Sequence, residues 1–190
     1  SKGMGKVEEG GGKMKRVIVE ALVLDRVHNT PVVLLRIENT NRVLPIWIGS
    51  CEALALSMAL DGVEFPRPMT HDLLLNVLEA LDAKLEKVII HSIKDNTYYA
   101  SLILKDLSYG EDEDAPYIEV DARPSDSIVL ATKKGVPIYV SNELVLENSI
   151  EYTAQDEEKE QFKEFVDKLD IDQFRRLVKD EQSEDDERSG

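Results

Sequence analysis

The sequence lacks most of the features by which common enzyme classes are recognised. Its 190 residues include one cysteine, Cys51, so no intrachain disulfide can form, which is typical of a reducing compartment. None of its three histidines has a zinc-type spacing with cysteine, and there is no P-loop, GxGxxG or GxSxG motif. No apolar run approaches the ~20 residues of a membrane-spanning helix. These absences predict a cytoplasmic protein and argue against the enzyme classes that such motifs mark.

Basic clusters are also lacking. The formal net charge is −15, and residues 143–190 contain seven basic and 17 acidic residues. Non-specific binding to nucleic acid depends mainly on lysine and arginine side chains that neutralise phosphates. The charge balance therefore argues against binding through a broad basic surface. Any role with nucleic acid requires a few placed arginines, a bound cation or a groove made by oligomerisation.

The chain divides into four segments. Residues 1–13 are rich in glycine and patternless, which predicts a disordered leader or an expression remnant. Residues 14–150 carry the apolar patterns of one folded domain. Apolar residues at helical spacing predict an acidic helical tail over residues 151–180. Residues 181–190 are polar and are expected to be disordered.

Local patterns within the domain predict an α+β fold, with a mixed β-sheet and packed helices. Strands are predicted at residues 15–25, 31–38, 42–48, 84–94, 97–106, 117–121 and 136–140. Helices are predicted at residues 51–61, 71–82 and 124–134, followed by a short helix capped by Ser141. Thr70 is expected to cap the second helix, and Gly62 and Gly135 to end the first and the third.

The two halves of the domain resemble each other. Asn29 aligns with Asn96 at an offset of 67 residues, and Glu52 aligns with Asp126 at an offset of 74. The seven additional residues fall in a loop, where insertions are tolerated. The pattern fits either a duplicated strand-strand-strand-helix unit or a chance likeness of two hairpin-plus-helix segments. Duplication predicts that Glu52 and Asp126 face each other across a pseudo-twofold axis.

Three predicted helix starts combine carboxylates with other polar groups. Their candidate functional residues are Glu52, then Arg67, His71 and Asp72, then Arg123, Ser125 and Asp126. Carboxylates can hold a divalent cation that activates water, arginine can clamp a phosphate, and histidine can move a proton. Taken singly, an acidic residue in a first helical turn is better explained by capping and the helix macrodipole than by catalysis.

Other conspicuous side chains are interpreted as structural. Trp47, in an apolar strand, is predicted to be a core residue, and Cys51 a small buried one. His28 is expected to be solvated beside a turn, and His91 to be structural within a strand. The acidic loop at residues 111–114 does not have the spacing of a Ca²⁺ loop, so it is predicted to be solvated.

Between about residues 14 and 150 the chain contains four motifs in a fixed order. They are LDRVHNTPVVLL, RVLPIWIG with EA two residues later, RPMTHDLL and DARPSDSIVLA. In this order they resemble the bifunctional nuclease family, whose domain was formerly of unknown function. The resemblance implies a compact α+β fold and association into homodimers or higher homo-oligomers. It also implies nuclease activity, the hydrolysis of phosphodiester bonds in RNA and single-stranded DNA.

The nuclease hypothesis gives each motif residue a role. Glu52, His71, Asp72 and Asp126 are expected to be catalytic, and Arg67, Arg123 and Ser125 to bind the substrate. Glu52, Asp72 and Asp126 are also the expected ligands of a divalent cation, Mg²⁺ or Mn²⁺. The enzyme requires these side chains to converge in one cleft.

Two alternatives to the enzyme stay open. One is a non-enzymatic homo-oligomeric scaffold or regulatory protein with an acidic partner-binding tail. It predicts that Arg123 and Asp126 are buried in ion pairs with no pocket beside them. The other is a nucleic-acid-binding protein without catalysis, which predicts a basic groove.

Overall fold

A computed structural model describes residues 13–110, 115–152, 160, 161 and 163–165. The strands are β1 (Met14–Asp25), β2 (Thr30–Ile37), β3 (Arg42–Trp47), β4 (Ala83–Lys94), β5 (Thr97–Asp106), β6 (Tyr117–Ala122), β7 (Ile138–Ser141) and β8 (Ile150–Glu151). The helices are α1 (Ser50–Leu60), α2 (Thr70–Ala80), α3 (Pro124–Lys134) and α4 (Asn142–Asn148), with a 3₁₀ turn at Leu107–Tyr109. The strands form one mixed sheet in the order β6-β5-β4-β7-β1-β2-β3-β8, which confirms the predicted α+β class.

The predicted strand-strand-strand-helix unit occurs twice. β1, β2, β3 and α1 form the first unit, and β4, β5, β6 and α3 form the second. The two sets of strands run outwards on either side of β7, which pairs antiparallel with β1 and parallel with β4. The aligned turn residues Asn29 and Asn96 both adopt left-handed conformations, with φ of 52° and 60°. Asparagine tolerates this region better than most residues, so the same residue serves the same hairpin turn in both units.

The main core lies between one face of the sheet and the helices α1 and α3, which also pack against each other. Leu44 of β3, Leu56 of α1, Ile90 of β4 and Ile128 of α3 are completely buried there. Burying each such side chain contributes roughly 1.5–3 kcal/mol. This packing holds α1 and α3 in a fixed relation, so the side chains in their first turns have a defined separation.

The opposite face of the first unit has a smaller apolar cluster. It consists of Val23, Val32, Leu34 and Val43, and Tyr152 packs against it. Alternation along the strands sends these side chains away from α1 and α3. The strands β2 and β3 are therefore buried on both faces along much of their length.

The predictions for Trp47 and Cys51 are wrong. Trp47 is 52% exposed because it ends β3 on the face away from α1 and α3, beyond the smaller cluster. Cys51 is exposed as well. Helix α1 buries Ala53 and Leu56, and Cys51 precedes Ala53 by two positions, about 200° around the helix. Trp47 and Cys51 thus lie outside the surfaces that the sheet and the helices bury, although both were predicted to be buried.

The predicted cap of α2 is also wrong. Thr70 is the first residue of the helix, and Met69 occupies the N-cap position. The carboxylate of Asp72 accepts a hydrogen bond of 3.1 Å from the Met69 backbone N–H. A charged acceptor in the first turn therefore satisfies the helix start in place of the threonine hydroxyl. Gly62 and Gly135 follow α1 and α3 with φ of 64° and 70°, as the helix-ending role requires.

A short part of the predicted tail is described. Phe165 packs against the main core, and the Gln161 side chain accepts a hydrogen bond of 2.7 Å from Arg26. Residues 1–12 of the leader predicted at residues 1–13, the acidic loop and most of the tail lie outside the described residues, so those predictions stay untested. Within the described ranges, no helix is long and apolar enough to cross a bilayer.

Candidate active site

The site is built where the first turns of α1 and α3 meet. Glu52 is the third residue of α1, and Asp126 is the third residue of α3. Gly49 and Arg123 occupy the corresponding N-cap positions, and neither helix has a side-chain cap. Pro124 opens α3 with a backbone angle already suited to a helix. The duplicated unit therefore brings two carboxylates to one place, as the alignment predicted.

Arg123 joins the two carboxylates. Its Nη1 donates to Glu52 Oε1 at 2.9 Å and its Nε donates to Asp126 Oδ2 at 3.1 Å, while its Nη2 lies 3.0 Å from the same Asp126 oxygen. The hydrogen bonds that Arg123 donates, first to Glu52 and then to Asp126, raise the pKa of the guanidinium above its usual range, so it stays cationic. The Arg123 side chain is nevertheless 65% exposed. Ion pairs this exposed contribute at most about 1 kcal/mol each, so stability gives little reason to place three charges here.

His71 extends the cluster from the start of α2. Its Nε2 lies 3.0 Å from Asp126 Oδ1, and its side chain is only 17% exposed. Asp126 therefore uses one oxygen for the histidine and the other for Arg123. Glu52, Arg123, Asp126 and His71 form one continuous chain of polar contacts, contributed by α1, α3 and α2.

An open pocket of about 300 Å³ adjoins this cluster. Glu52 and Arg123 line it on one side, and the buried Ser125 lies in its wall. Trp47 from the end of β3 and Tyr98 from the start of β5 line it as well. Arg123 and Asp126 are thus ion-paired, as the scaffold hypothesis predicted, but they are partly exposed beside a pocket, which that hypothesis did not predict.

Two of the seven predicted residues lie neither in this chain of contacts nor in the wall of the pocket. Asp72 forms a 2.8 Å ion pair with Lys133 near the end of α3, beside a second pocket of about 580 Å³. Partial burial alone would raise the pKa of Asp72, but hydrogen bonds from Lys133 and the Met69 N–H bring it below its usual value. Arg67 is exposed and makes no hydrogen bond or ion pair with the residues that the structure describes.

The carboxylates are not arranged as a cation site. Glu52 and Asp126 are both occupied by Arg123, and Asp72 is occupied by Lys133. Within the described part of the chain, no group of three or more His, Cys, Asp or Glu side chains is placed to hold a metal ion. The three predicted metal ligands therefore do not converge on one point in this conformation.

Reasoning from sequence missed several contributors to the site. Lys133 gave no signal, because its partner Asp72 lies 61 positions away on another helix. Tyr98 follows a hairpin turn and looked like an ordinary strand residue. Gly49 had a usable signal, since the offset of 74 that aligns Glu52 with Asp126 also aligns Gly49 with Arg123.

A further polar contact anchors the Trp47 side chain on the face of the sheet away from α1 and α3. The Trp47 indole Nε1 donates to Asp25 Oδ2 at 2.9 Å, and His28 Nδ1 lies 2.9 Å from the same oxygen. Hydrogen bonds from His28 and then Trp47 lower the pKa of Asp25 to about 2. The His28 side chain itself is 72% exposed, in agreement with its predicted solvation.

The fold and the site together define an α+β domain of two strand-strand-strand-helix units with a polar cluster between their helix starts. The sequence profile of the bifunctional nuclease domain matches residues 33–153, which is more than half of the chain. The chain therefore belongs to the bifunctional nuclease domain family.

Relatives in bacteria and plants resemble the chain to different extents. An uncharacterized protein of Mycobacterium tuberculosis is 40% identical over 172 residues, covering 85% of this chain and 99% of that protein. Bifunctional nuclease 1 of Oryza sativa subsp. indica is 26% identical over 126 residues, covering 66% of this chain and 37% of the rice protein. Bifunctional nuclease 2 of Arabidopsis thaliana is 26% identical over 131 residues, covering 62% and 39%. The match thus spans nearly all of the mycobacterial protein but less than half of each plant protein.

Proposed function

We propose that the cluster of Glu52, His71, Arg123 and Asp126 hydrolyses phosphodiester bonds in single-stranded nucleic acid, RNA or DNA. The observation that carries this proposal is the continuous chain of contacts from His71 through Asp126 to Arg123, beside an open pocket. Membership of the bifunctional nuclease domain family supports it. Phosphodiester cleavage needs a group that takes a proton from the nucleophile and a cation that faces the charge growing on the phosphate. In the cluster, His71 is the group that takes the proton and Arg123 is the cation.

Arg123 is the group that binds the phosphate. A guanidinium has five N–H donors, and the contacts to Glu52 and Asp126 use only three of them. The remaining donors belong to a side chain that is 65% exposed and lines the pocket. Glu52 and Asp126 are positioning residues, because they hold this long side chain in one conformation before the substrate arrives.

His71 is the general base. Ionised Asp126 can only accept hydrogen bonds, so the proton of neutral His71 resides on Nε2. Among the described residues Nδ1 has no hydrogen-bond partner, and its lone pair takes a proton from an attacking water molecule. The carboxylate orients the imidazole and stabilises the imidazolium that forms, as in other histidine–carboxylate pairs. The same His71 returns the proton to the leaving oxygen.

Ser125 and Arg67 have lesser roles in the proposal. The hydroxyl of Ser125, in the wall of the pocket, contacts the bound nucleotide. Arg67 is exposed in the loop before α2, four positions ahead of His71. It is the group that contacts the backbone of a longer substrate outside the pocket. Asp72 supports the start of α2 through Met69 and Lys133 and acts on the reaction only through His71.

Dependence on Mg²⁺ or Mn²⁺ is a separate proposal. The donor set does not fit a resident cation, since each predicted ligand already faces a basic side chain. We therefore assign no step of the reaction to a metal ion. A comparison of cleavage in Mg²⁺, Mn²⁺ and EDTA tests the cation independently of His71.

Cleavage of end-labelled single-stranded DNA and RNA tests the proposed function. His71→Gln removes the base, and Asp126→Asn leaves a neutral group that no longer stabilises imidazolium. We expect each to lower the rate by about 10²–10⁴-fold. His91→Gln is the matched control, because His91 contacts Ser101 on another part of the sheet. Unchanged rates in both site variants, or an equal loss in the control, would contradict the proposal.

A homo-oligomeric scaffold is the second candidate function, and the surface of α2 is the observation that favours it. Four exposed apolar side chains follow one another along α2 and its C-cap at helical spacing, namely Leu73, Leu74, Val77 and Leu81. This uncharged stripe is where two copies of a chain with net charge −15 repel each other least. A second copy packed about a twofold axis buries the stripe against itself.

Light scattering after gel filtration tests the oligomer. We expect a dimer for the unmodified chain and a monomer for Val77→Asp. Leu75 and Leu78 face the core and keep α2 attached to the domain in this variant. A monomer before substitution, or a dimer that survives it, would remove α2 as the interface.

A further inference from the structure

The second unit has a basic surface on the sheet face that points away from α1 and α3. Leu85 of β4 and Leu104 of β5 are directly paired and buried in the main core. Lys84 and Lys105 are the next pair along, so their side chains point to the opposite face. The register places further residues on that side, and together they form a surface that we call the lysine face, namely Lys84, Lys87, Lys94 and Lys105 with Tyr99 and Tyr139.

The charges of the lysine face are not neutralised within the described part of the chain. Lys84 and Lys105 lie directly opposite each other, and like charges at such positions destabilise a sheet. None of the four lysines forms an ion pair with a residue that the structure describes, although the chain has 38 acidic residues. Acids do lie beside them in the sheet, namely Glu86, Glu119 and Asp121. Glu119 instead accepts a hydrogen bond of 2.8 Å from Ser101. An unneutralised group of cations in a chain of net charge −15 points to an anionic ligand.

Tyrosines hold two of these lysines in place. Lys87 Nζ lies 5.8 Å from the centre of the Tyr139 ring, and Lys94 Nζ lies 5.8 Å from the centre of the Tyr99 ring. A cation is attracted to the face of an aromatic ring, so these ammonium groups keep their positions on the surface. Tyr99 and Tyr117, the latter opposite Lys105, are 38% and 49% exposed. Exposed rings between cations suit nucleic acid better than an acidic polypeptide, because bases stack on the rings while phosphates meet the lysines.

The lysine face begins next to the proposed active site. Thr97, in the β4–β5 hairpin, lines the pocket beside Arg123, and Lys94 is its direct partner across the hairpin. From Lys94 to Lys84, β4 extends over ten residues, or roughly 30 Å. A nucleic-acid strand with one phosphate at Arg123 can therefore cross the tip of the hairpin and continue along the lysines.

We propose that the lysine face binds the sugar–phosphate backbone of a long nucleic-acid substrate, outside the active site and on the other side of the sheet. The identity of this ligand rests on the proposed function of the Arg123 site, whereas the basic surface itself does not. A long substrate is then held at two places, so it binds more tightly than a short one with the same cleavage site. No basic run marks this surface in the sequence, because its lysines are 3, 7 and 11 positions apart and come together only when β4 and β5 pair.

The salt dependence of binding tests the lysine face. An end-labelled oligothymidylate of about 16 nucleotides, a typical upper site size for a single-strand binder, is titrated into the full chain with His71→Gln. Anisotropy reports binding at several salt concentrations, and a gel confirms that the oligonucleotide stays intact. Replacing Lys84, Lys87 and Lys105 together by glutamine removes three cations. We expect the slope of log K against log salt concentration to become shallower by about 2, since each phosphate contact contributes about 0.7 for single strands.

A second triple variant controls for the change in net charge. Lys15, Lys134 and Lys163 are exposed lysines away from the lysine face, and their joint replacement by glutamine removes the same number of charges. We expect this variant to keep the original slope. An unchanged slope in the lysine-face variant, or an equal change in the control, overturns the proposal.

Stability separates a binding surface from a structural one. Because Lys84 and Lys105 repel each other, Lys84→Gln is expected to keep or raise the melting temperature while it weakens binding of the oligonucleotide. A melting temperature that falls together with the affinity would mean that the lysine acts through the fold, and it overturns the proposal.

Cleavage of a dinucleotide separates the lysine face from the catalytic proposal, because a dinucleotide occupies only the site beside Arg123. We expect the lysine-face variant to cleave the dinucleotide as the unmodified chain does, and the long oligonucleotide with a higher KM and the same kcat. Unchanged cleavage of both substrates overturns the lysine face and leaves the phosphodiesterase standing. Lysine-dependent binding without cleavage by the unmodified chain supports the lysine face and removes the enzyme. Polyglutamate that displaces the oligonucleotide as well as unlabelled oligothymidylate does would identify an acidic polypeptide as the ligand and overturns the proposal.

Discussion

The starts of α1 and α3 are equivalent in the fold but unequal in chemistry. Each has a carboxylate at the third helical position, Glu52 or Asp126. The N-cap of α1 is Gly49, and a Cβ atom there would collide with the Glu52 carboxylate. The N-cap of α3 is Arg123, whose guanidinium binds both acids. The repeated unit thus provides an equivalent carboxylate at the start of each helix. Arg123 has no counterpart in the first unit, and it is the cation that both carboxylates bind.

Among changes at the two N-caps, the largest expected effect comes from removing that arginine. Arg123→Ala leaves two carboxylates without a cation and no group for the phosphate, so cleavage should fall by about 10²–10³-fold. The free energy of unfolding should change by no more than about 1–2 kcal/mol, because the two ion pairs of Arg123 are exposed. Single-turnover cleavage and thermal unfolding measure the two effects.

Arg123→Lys sharpens this prediction. Lysine restores the charge but lacks the planar fork that reaches Glu52 and Asp126 together, so we expect only partial recovery. Full activity with lysine would show that the cation matters and its geometry does not. A large loss of stability with alanine would indicate that the cluster holds the helices together.

The second prediction tests the difference between the two N-caps by changing Gly49 at the start of α1. Gly49→Ala introduces a methyl group at the place of the Glu52 carboxylate, which must move away from Arg123. Gly49 has φ of −73°, so alanine fits the backbone there. We expect cleavage to fall by about 10- to 100-fold, as for displacements of about 1 Å near reacting groups, with little change in the melting temperature.

Gly62→Ala is the matched control for Gly49→Ala. Gly62 ends the same helix with φ of +64° and has open space around it, so alanine is strained there but displaces nothing. We expect a loss of about 1–2 kcal/mol in stability and unchanged cleavage. The two glycines of α1 should therefore have opposite phenotypes, and a shared phenotype would contradict this account of Gly49.

The third prediction extends the comparison to α2, whose third residue is also a carboxylate. Asp72 faces Lys133 rather than Arg123, so its role is structural. Asp72→Asn should lower the free energy of unfolding by about 1 kcal/mol and affect cleavage much less than Asp126→Asn does. A double-mutant cycle with Lys133→Met isolates the ion pair.

The lowered pKa of Asp72 makes the stabilisation by this residue depend on pH. Its folded-state pKa lies below the usual value, so the stabilisation is fully present above the unfolded-state pKa. It is lost as the pH falls through the lower, folded-state pKa. The stability of the unmodified chain should therefore fall over this range more than that of Asp72→Asn. Parallel curves for the two proteins would exclude the ion pair as the cause.

Most of the fold was predictable because it follows from local signals. Strand and helix boundaries fell within two residues of their predicted positions, and α3 matched at both ends. The repeat was visible because Asn29 and Asn96 mark turns that need the same left-handed backbone. Period-two and helical spacing carry this information within a few residues of chain.

The site was only partly predictable because it depends on contacts between distant elements. The motifs contained Glu52, His71 and Asp126, but nothing local showed that Arg123 bridges two acids or that Asp72 turns towards α3. The exposure of Trp47 depends on where the sheet stops being covered, which no strand pattern encodes. The sequence thus identified candidate site residues. The residues that they contact could not be predicted, because those contacts depend on how α1, α2 and α3 pack together.

The smallest expected effect concerns Trp47, whose aligned position in the second unit is Asp121, so the tryptophan, like Arg123, is unmatched. Hydrogen bonds from His28 and Trp47 hold the pKa of Asp25 at about 2, below the ordinary 3.8. Because the folded-state pKa is the lower one, this contribution is present above about pH 4 and is lost as the pH falls towards 2. The indole N–H resonance in NMR spectra should therefore titrate with a midpoint near 2, and His28→Ala should raise that midpoint. A midpoint at 3.8 in the unmodified chain would mean that Asp25 does not anchor the indole.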